Sequence, residues 1–183
     1  IFRFTYGKEG DAYLVVNPNS DEGEGYIEVD TIHKRIYGYN PVHRIYQGWG
    51  EPAGYSGHFI IEYQKSISDF GMFRNDSLYP QQTNIRLGKG IGAYIRFHVE
   101  ANEQVMVKAA SSFTDKEGAI RNLTDEIPHW DFDLTRKELT EIWEHHLAGI
   151  EIETTDTVAK QKFYGALYRA SFLPRTFNDT DGR

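Results

Sequence analysis

Over the first 114 residues apolar and polar side chains alternate, and after them the alternation stops; no other feature of this sequence constrains the fold so strongly. "YIRFHVE" is the clearest run, with Ile95, Phe97 and Val99 set against Arg96, His98 and Glu100. A period of two places the two sets on opposite faces of an extended strand. Phe2, Phe4 and Tyr6 share a face in the same way, as do Phe59, Ile61 and Tyr63 in "HFIIEYQ" and Val105, Val107, Ala109 and Phe113 in "VMVKAASSF". Ile27 and Val29 alternate with Glu28 and Asp30, and "IYGY" follows after a short polar turn, the pattern of a hairpin. Strands that are apolar on one face exclude water by stacking as two sheets. Residues 1–114 are therefore expected to form an antiparallel β-sandwich.

Beyond this stretch the period lengthens. "TDKE" at Thr114–Glu117 has capping-box spacing, with the Thr hydroxyl accepting an amide and Glu117 reaching back, and predicts a helix through Leu123. "TRKE" at Thr135–Glu138 repeats the device and opens a helical stripe of Leu139, Ile142, Trp143, His146 and Ile150, which Gly149 is placed to stop. "IEIE" reads as a short extended segment. A third helix from about Thr157 carries Phe163, Tyr164, Leu167, Tyr168 and Ala170 around most of its girth, which predicts burial on several sides, and Pro174 ends it. The chain thus divides into a sandwich (1–114), linker helices with a short extended segment (115–153) and a further helical start (154–183). That last helix has little left to bury it, and the chain opens on a strand without Met and stops in a loop. Truncation at both ends is the expectation.

Several chemistries are set aside. The formal net charge is -7, with Lys and Arg scattered among acids, so no basic face for nucleic acid is expected. The absence of Cys removes disulfides, thiolate metal sites and cysteine nucleophiles. No apolar run is long enough to span a bilayer as a helix. The glycines of "LGKGIGAYIRF" and "GWGEPAG" feed strands rather than a helix N-terminus, so they read as turns and not as phosphate cradles. His145 and His146 are adjacent, about 100° apart on a helix, and do not share a metal as an i, i+4 pair does. The sequons at Asn75, Asn122 and Asn178 decide nothing by themselves.

Two stretches retain functional candidates. The high aromatic share, 14%, suits a β core, and in "YQGWGEPAGYSG" it also places Trp49 on a glycine-rich loop where a ring can meet the apolar face of a sugar or cap the sandwich edge. "FNDTDGR" holds Asn178, Asp179 and Asp181. An EF-hand register would put Phe177 at the first ligand position and leave the twelfth beyond the chain, so that reading fails; another oxygen-rich site or a plain Asx turn remains open.

The run from "VMVKAASSFTDKEGAIRNLTDEIPHWDFD" through "IWEHHLAGIEIETTD" to "FYGALYRASFLPRTFNDTDGR" resembles glycoside hydrolase family 92, the bacterial exo-acting α-mannosidases. It does so in the order and spacing of a strand ending in Ser, "EGAIRNL", "IPHWDFD", Trp143, "IEIE", "FYGALYR" and the D-x-D-G-R turn; Arg169 departs from the His expected there. The resemblance implies a mostly β fold: the family's N-terminal antiparallel sandwich, linker helices and the first helix of an (α/α)6 barrel, with the missing barrel of the same polypeptide as its partner. It implies removal of terminal mannose from glycans with inversion, by a Glu acid and an Asp base roughly 6.5–9.5 Å apart. It also implies a calcium ion on the mannose O2 and O3 acting as Lewis acid and template. No catalytic residue is expected in this chain, since acid, base and main calcium ligands would lie beyond Arg183. Asp179, Asp181 and Arg183, with Trp49, are the candidate substrate contacts, and the location implied is periplasmic, cell-surface or secreted. The alternative is a non-catalytic carbohydrate-binding or structural sandwich module.

Overall fold

A computed structural model describes residues 1–18, 23–43, 50–173 and 176–183. Among these residues the strands are β1 (Phe2–Thr5), β2 (Gly10–Val16), β3 (Tyr26–Asp30), β4 (Arg35–His43), β5 (Pro52–Tyr63), β6 (Asp69–Arg74), β7 (Ser77–Pro80), β8 (Asn84–Arg86), β9 (Ile91–Val99) and β10 (Gln104–Ser112). The helices are α1 (Lys116–Glu126), α2 (Phe132–Leu147) and α3 (Thr157–Ala170). They divide into two compact units, Ile1–Trp130 with Asn178–Arg183, and Asp131–Phe177.

The first unit is the sandwich. A six-stranded sheet, ordered β1-β10-β5-β4-β3-β8, packs on a four-stranded sheet, ordered β2-β9-β6-β7, and every pairing is antiparallel. The predicted hairpin forms in register, Ile27 opposite Gly38 and Val29 opposite Ile36. Ile27, Val29, Ile36, Tyr63, Val105 and Val107 of the larger sheet meet Met72, Ala93, Ile95, Phe97 and Val99 of the smaller one, all buried. Each completely buried aliphatic side chain contributes about 1.5–3 kcal/mol relative to its exposed state, so this interleaved layer is the main force holding the sheets together.

Strand alternation misjudged β10 in two places. Phe113 shares the phase of Val105 and Val107, yet it follows the end of the strand, is exposed, and meets Tyr55 edge-on. Lys108 and Ser112, on the supposed outer face, are buried. The reason is α1, which lies across the outer face of the larger sheet and buries Ala119 and Leu123 against Tyr37 and Ile60. This sheet is therefore covered on both sides, a condition that alternation along one strand does not reveal.

Both capping predictions moved. The α1 N-cap is Asp115 rather than Thr114, and its carboxylate accepts from the Gly118 amide at 2.6 Å. In the second unit α2 starts before the predicted box: Asp131 caps it by accepting from Leu134 N at 2.9 Å, and Thr135 turns its hydroxyl back onto the Asp131 carbonyl. An ionised carboxylate is the better partner for a helix N-terminus, where the backbone dipoles add to the hydrogen bond. α2 ends at Leu147, two residues before Gly149, and residues 151–153 of "IEIE" form no strand.

α2 and α3 pack through Trp143, whose ring lies 4.5 Å from Tyr168 and 5.8 Å from Phe172, while His146 Nε2 meets Ser171 Oγ at 2.8 Å. α3 was expected to be buried on several sides, but none of its residues is buried. With α2 alongside, only one flank of its apolar girth is covered, and Ile142 of α2 remains 65% exposed. Pro174 lies outside the described residues; α3 itself ends at Ala170.

Candidate functional site

The candidate residues converge where β10 ends, α1 begins and the chain returns to the first unit at Asn178. β10 delivers Ser112, the Asp115 cap sets the first turn of α1, and the helical spacing of Gly118, Arg121, Asn122 and Asp125 turns these residues toward the returning segment. That segment is a tight turn: Gly182 N donates to the Asp179 carbonyl at 2.9 Å and Asp179 N to the Arg183 carbonyl at 2.8 Å. Gly182 has φ of +87°, a left-handed conformation that glycine adopts without steric cost.

Asp179 is the centre of the arrangement and only 3% exposed. Ser112 Oγ donates to its Oδ2 at 2.7 Å, and Asn122 Nδ2 donates to its Oδ1 at 2.9 Å. Asn122 also donates to the Ser111 carbonyl and accepts from Thr180 N, both at 2.9 Å. Gly118 makes room for the carboxylate, since a Cβ there would stand 2.4 Å from Asp179 Oδ2 and 2.6 Å from Ser112 Oγ. The buried Asn122 amide is occupied inside the unit, so this sequon is closed to modification in the folded chain.

Asp181 and Arg183 lie outside this buried node. Arg183 Nε donates to Asp181 Oδ2 at 2.9 Å and its Nη1 to Asp115 Oδ2 at 3.1 Å, while Arg121 Nη2 lies 2.7 Å from Asp181 Oδ2. The side chains of Asp181 and Arg183 remain 31% and 48% exposed. Between them they offer carboxylate acceptors and guanidinium donors at the surface, a combination able to hydrogen-bond neighbouring hydroxyls. Trp49 lies outside the described residues.

An aromatic cluster that sequence reasoning missed adjoins the node. His58 sits opposite Ser112 in the β5–β10 register, and its Nδ1 meets Tyr37 Oη at 2.8 Å. The Tyr39 ring lies 5.6 Å from His58 and stacks on Tyr26 at 5.5 Å. Lys116 Nζ stands 4.7 Å over the Tyr37 ring and is paired with Glu28, which accepts the Tyr26 hydroxyl at 2.5 Å. The available signal was phase: these rings occupy the polar half of the alternation, where side chains of the larger sheet face α1.

Electrostatics make the node sensitive to acid. Burial opposes the charge on Asp179, but hydrogen bonds from Ser112, Asn122 and Thr114, with the nearby Arg121 cation, outweigh it and hold the carboxyl below its ordinary range. Burial lowers His58, against the opposing pull of Asp115, Glu117 and Asp179. Burial pushes the Tyr37 hydroxyl up to about 12, assisted by Tyr39, Glu28, Glu117 and Asp115. A depressed carboxyl contributes stability that is present above its unfolded value, about 3.9, and lost as pH falls through the folded one. A depressed imidazole is protonated first in the unfolded chain, so it too removes stability as pH falls below about 6.5. Urea midpoints should therefore decline on acidification in two stages, and Asp179→Asn should reduce the lower one, to which the depressed carboxyls of Asp30, Glu103 and Asp181 also contribute. An unchanged lower stage in that variant would contradict the assignment.

Among the described residues no group of three or more His, Asp or Glu is arranged to hold a metal ion. The donors explain why: both Asp179 oxygens are engaged by protein groups, and the Arg183 guanidinium fills the space between Asp115 and Asp181. These residues do not fit a calcium site by themselves. Among the described residues no helix is long and apolar enough to cross a membrane.

Residues 1–112 match the model of the glycosyl hydrolase family 92 N-terminal domain, and residues 118–183 match that of the family's catalytic domain. The chain belongs to glycosyl hydrolase family 92. Among solved structures it is similar to the GH92 inverting mannosidase BT2199 of Bacteroides thetaiotaomicron, at 28% identity and a TM-score of 0.77, over 94% of this chain and 23% of that one. The GH92 α-mannosidase BT3965 of the same organism matches at 24% identity and a TM-score of 0.81, over 98% of this chain and 24% of that one, and shares the fold. BT3965 was also solved with mannoimidazole bound, where the match is 23% identical with a TM-score of 0.81 over the same shares. The chain thus spans about a quarter of the structures it matches. No curated protein matches it.

Proposed function

We propose that this chain is the N-terminal part of an exo-acting, inverting, calcium-dependent α-mannosidase that trims terminal mannose from glycans in the periplasm, at the cell surface or after secretion. The observation that supports this most is the succession of both family domains in one 183-residue chain, with the end of β10 and the start of α1 at their junction. The 28% identity to a protein described as an inverting mannosidase supports the stereochemistry. In this reading the remainder of the polypeptide, a helical barrel, carries the acid, the base and the calcium ligands, and the 183-residue chain alone is inactive. Asp181 and Arg183 contribute polar contacts to the sugar from the edge of the sandwich, and Trp49 contributes an apolar one.

Inversion fixes the anomer of the first product, so proton NMR of an α-mannobiose digest decides the reading. A polypeptide extended downstream of Arg183 should release β-mannose first, and a calcium chelator should abolish release. Early α-mannose would overturn inversion. A folded, calcium-loaded protein that releases no mannose across several linkages would instead point to a binding or structural module.

A further inference from the structure

Ser112 closes the stretch matched by the N-terminal domain, whereas Asp179 belongs to the stretch matched by the catalytic domain. Their buried hydrogen bond therefore joins the two family domains through side chains 67 residues apart in sequence. We infer that Asp179 is a positioning residue: its carboxylate, held by Ser112 and Asn122, ties the turn Asn178–Arg183 to the end of β10 and to α1, and so sets where Asp181 and Arg183 stand. The activity side of this inference rests on the mannosidase reading; the tie itself does not.

The geometry leaves the carboxylate no other task. Each oxygen is taken by a protein donor, and each donor is fixed in turn: Ser112 Oγ accepts from Thr114 N at 2.9 Å, and Asn122 holds Ser111 and Thr180. The result is a closed net across strand, helix and turn, in a place too enclosed for a sugar to reach. An amide at position 179 replaces the acid only in part. Its oxygen can keep the Asn122 bond, but its NH2 must then donate to Ser112 Oγ, which already accepts from Thr114 N and Asp115 N, and the Ser112 hydroxyl proton and the negative charge both lose their place in the net. Asp181 and Arg183 are tied to Asp115 and Arg121 at the surface, where solvent screens ion pairs and they hold a side chain only weakly. Their placement therefore depends on the buried node beneath them.

Asp179→Asn attacks the node through its acceptor and Gly118→Ala through the space it needs. In the 183-residue chain, amide hydrogen exchange at Thr180 and Gly182 should accelerate about tenfold to 100-fold in both variants, as the loss of a buried charge-assisted hydrogen bond requires, while the Ile95 amide in β9 stays protected. In the polypeptide extended downstream, both variants should lower kcat/KM for an α-mannoside by about tenfold or more at temperatures where β9 remains protected. Asp181→Asn should lower kcat/KM while Gly182 exchange stays slow. Wild-type exchange at Thr180 and Gly182 in Asp179→Asn would overturn the tie. A loosened turn with unchanged kcat/KM would overturn the positioning role. A folded wild type without turnover would overturn the mannosidase reading alone, and the exchange rates would still decide the tie.

Discussion

Truncating Ile95 to alanine is expected to lower the stability of the sandwich unit by about 2–5 kcal/mol, the range for a large aliphatic side chain removed from a close-packed interior. Ile95 is completely buried in β9, between β2 and β6, with Leu14 and Phe70 as its register partners. Three methyl-sized groups vanish from the layer between two sheets, and sheets held by their strand ladders cannot close the gap. The opposite face supplies the control. Val15 lies in β2 next to Leu14 but is 58% exposed, so Val15→Ala should cost less than about 1 kcal/mol. Urea titrations of both variants test the register directly: a one-residue slip in β2 or β9 would invert the faces and reverse or equalise the two losses.

The second large effect is expected at Lys108, which is 5% exposed despite its charge. Its Nζ lies 3.2 Å from Glu62 Oε2, donates to the Ile127 carbonyl at 3.1 Å, and stands 4.5 Å over the Trp130 ring. It thereby caps the C-terminal end of α1, where a cation complements the helix dipole, and fastens the last residues of the first unit before Asp131. Lys108→Ala would strip the Ile127 carbonyl and one Glu62 oxygen of their partner. Arg35 still holds the other Glu62 oxygen at 2.6 and 2.8 Å, so the loss should be about 2–4 kcal/mol, below the full cost of orphaning a buried charge. In a double-mutant cycle with Glu62→Ala the two changes should couple by about 1–3 kcal/mol. Additive losses would show that the pair carries no energy of its own.

These two residues mark how far sequence reading reached. Ile95 was legible because its burial follows from alternation, and alternation is a local property of a strand. The sandwich, the β3–β4 hairpin and the change to helices after β10 were legible for the same reason. Lys108 and Ser112 were not. Their strand phase assigns them to solvent, and only the arrival of α1 on that face buries them. The capping boxes at Thr114 and Thr135 failed because the helices start elsewhere, α1 one residue later and α2 four residues earlier, where the carboxylates of Asp115 and Asp131 cap Gly118 N and Leu134 N, a choice of start that a spacing rule does not make.

The candidate site divides in the same way. The D-x-D-G-R turn stood out as a string of oxygen ligands, but the string does not distinguish Asp179 from Asp181. One is buried among Ser112, Asn122 and Gly118, and the other is left at the surface with two arginines. That difference arises from residues about 60 positions away in the chain, brought together when the segment returns to the sandwich. By itself the sequence determined the strand faces, the three helices and the family, because periodicity and motif order are written along the chain. Only the tertiary structure decided which carboxylate is buried in the fold and which stays at the surface beside two arginines, because burial and hydrogen-bond partners depend on what distant segments place beside each group.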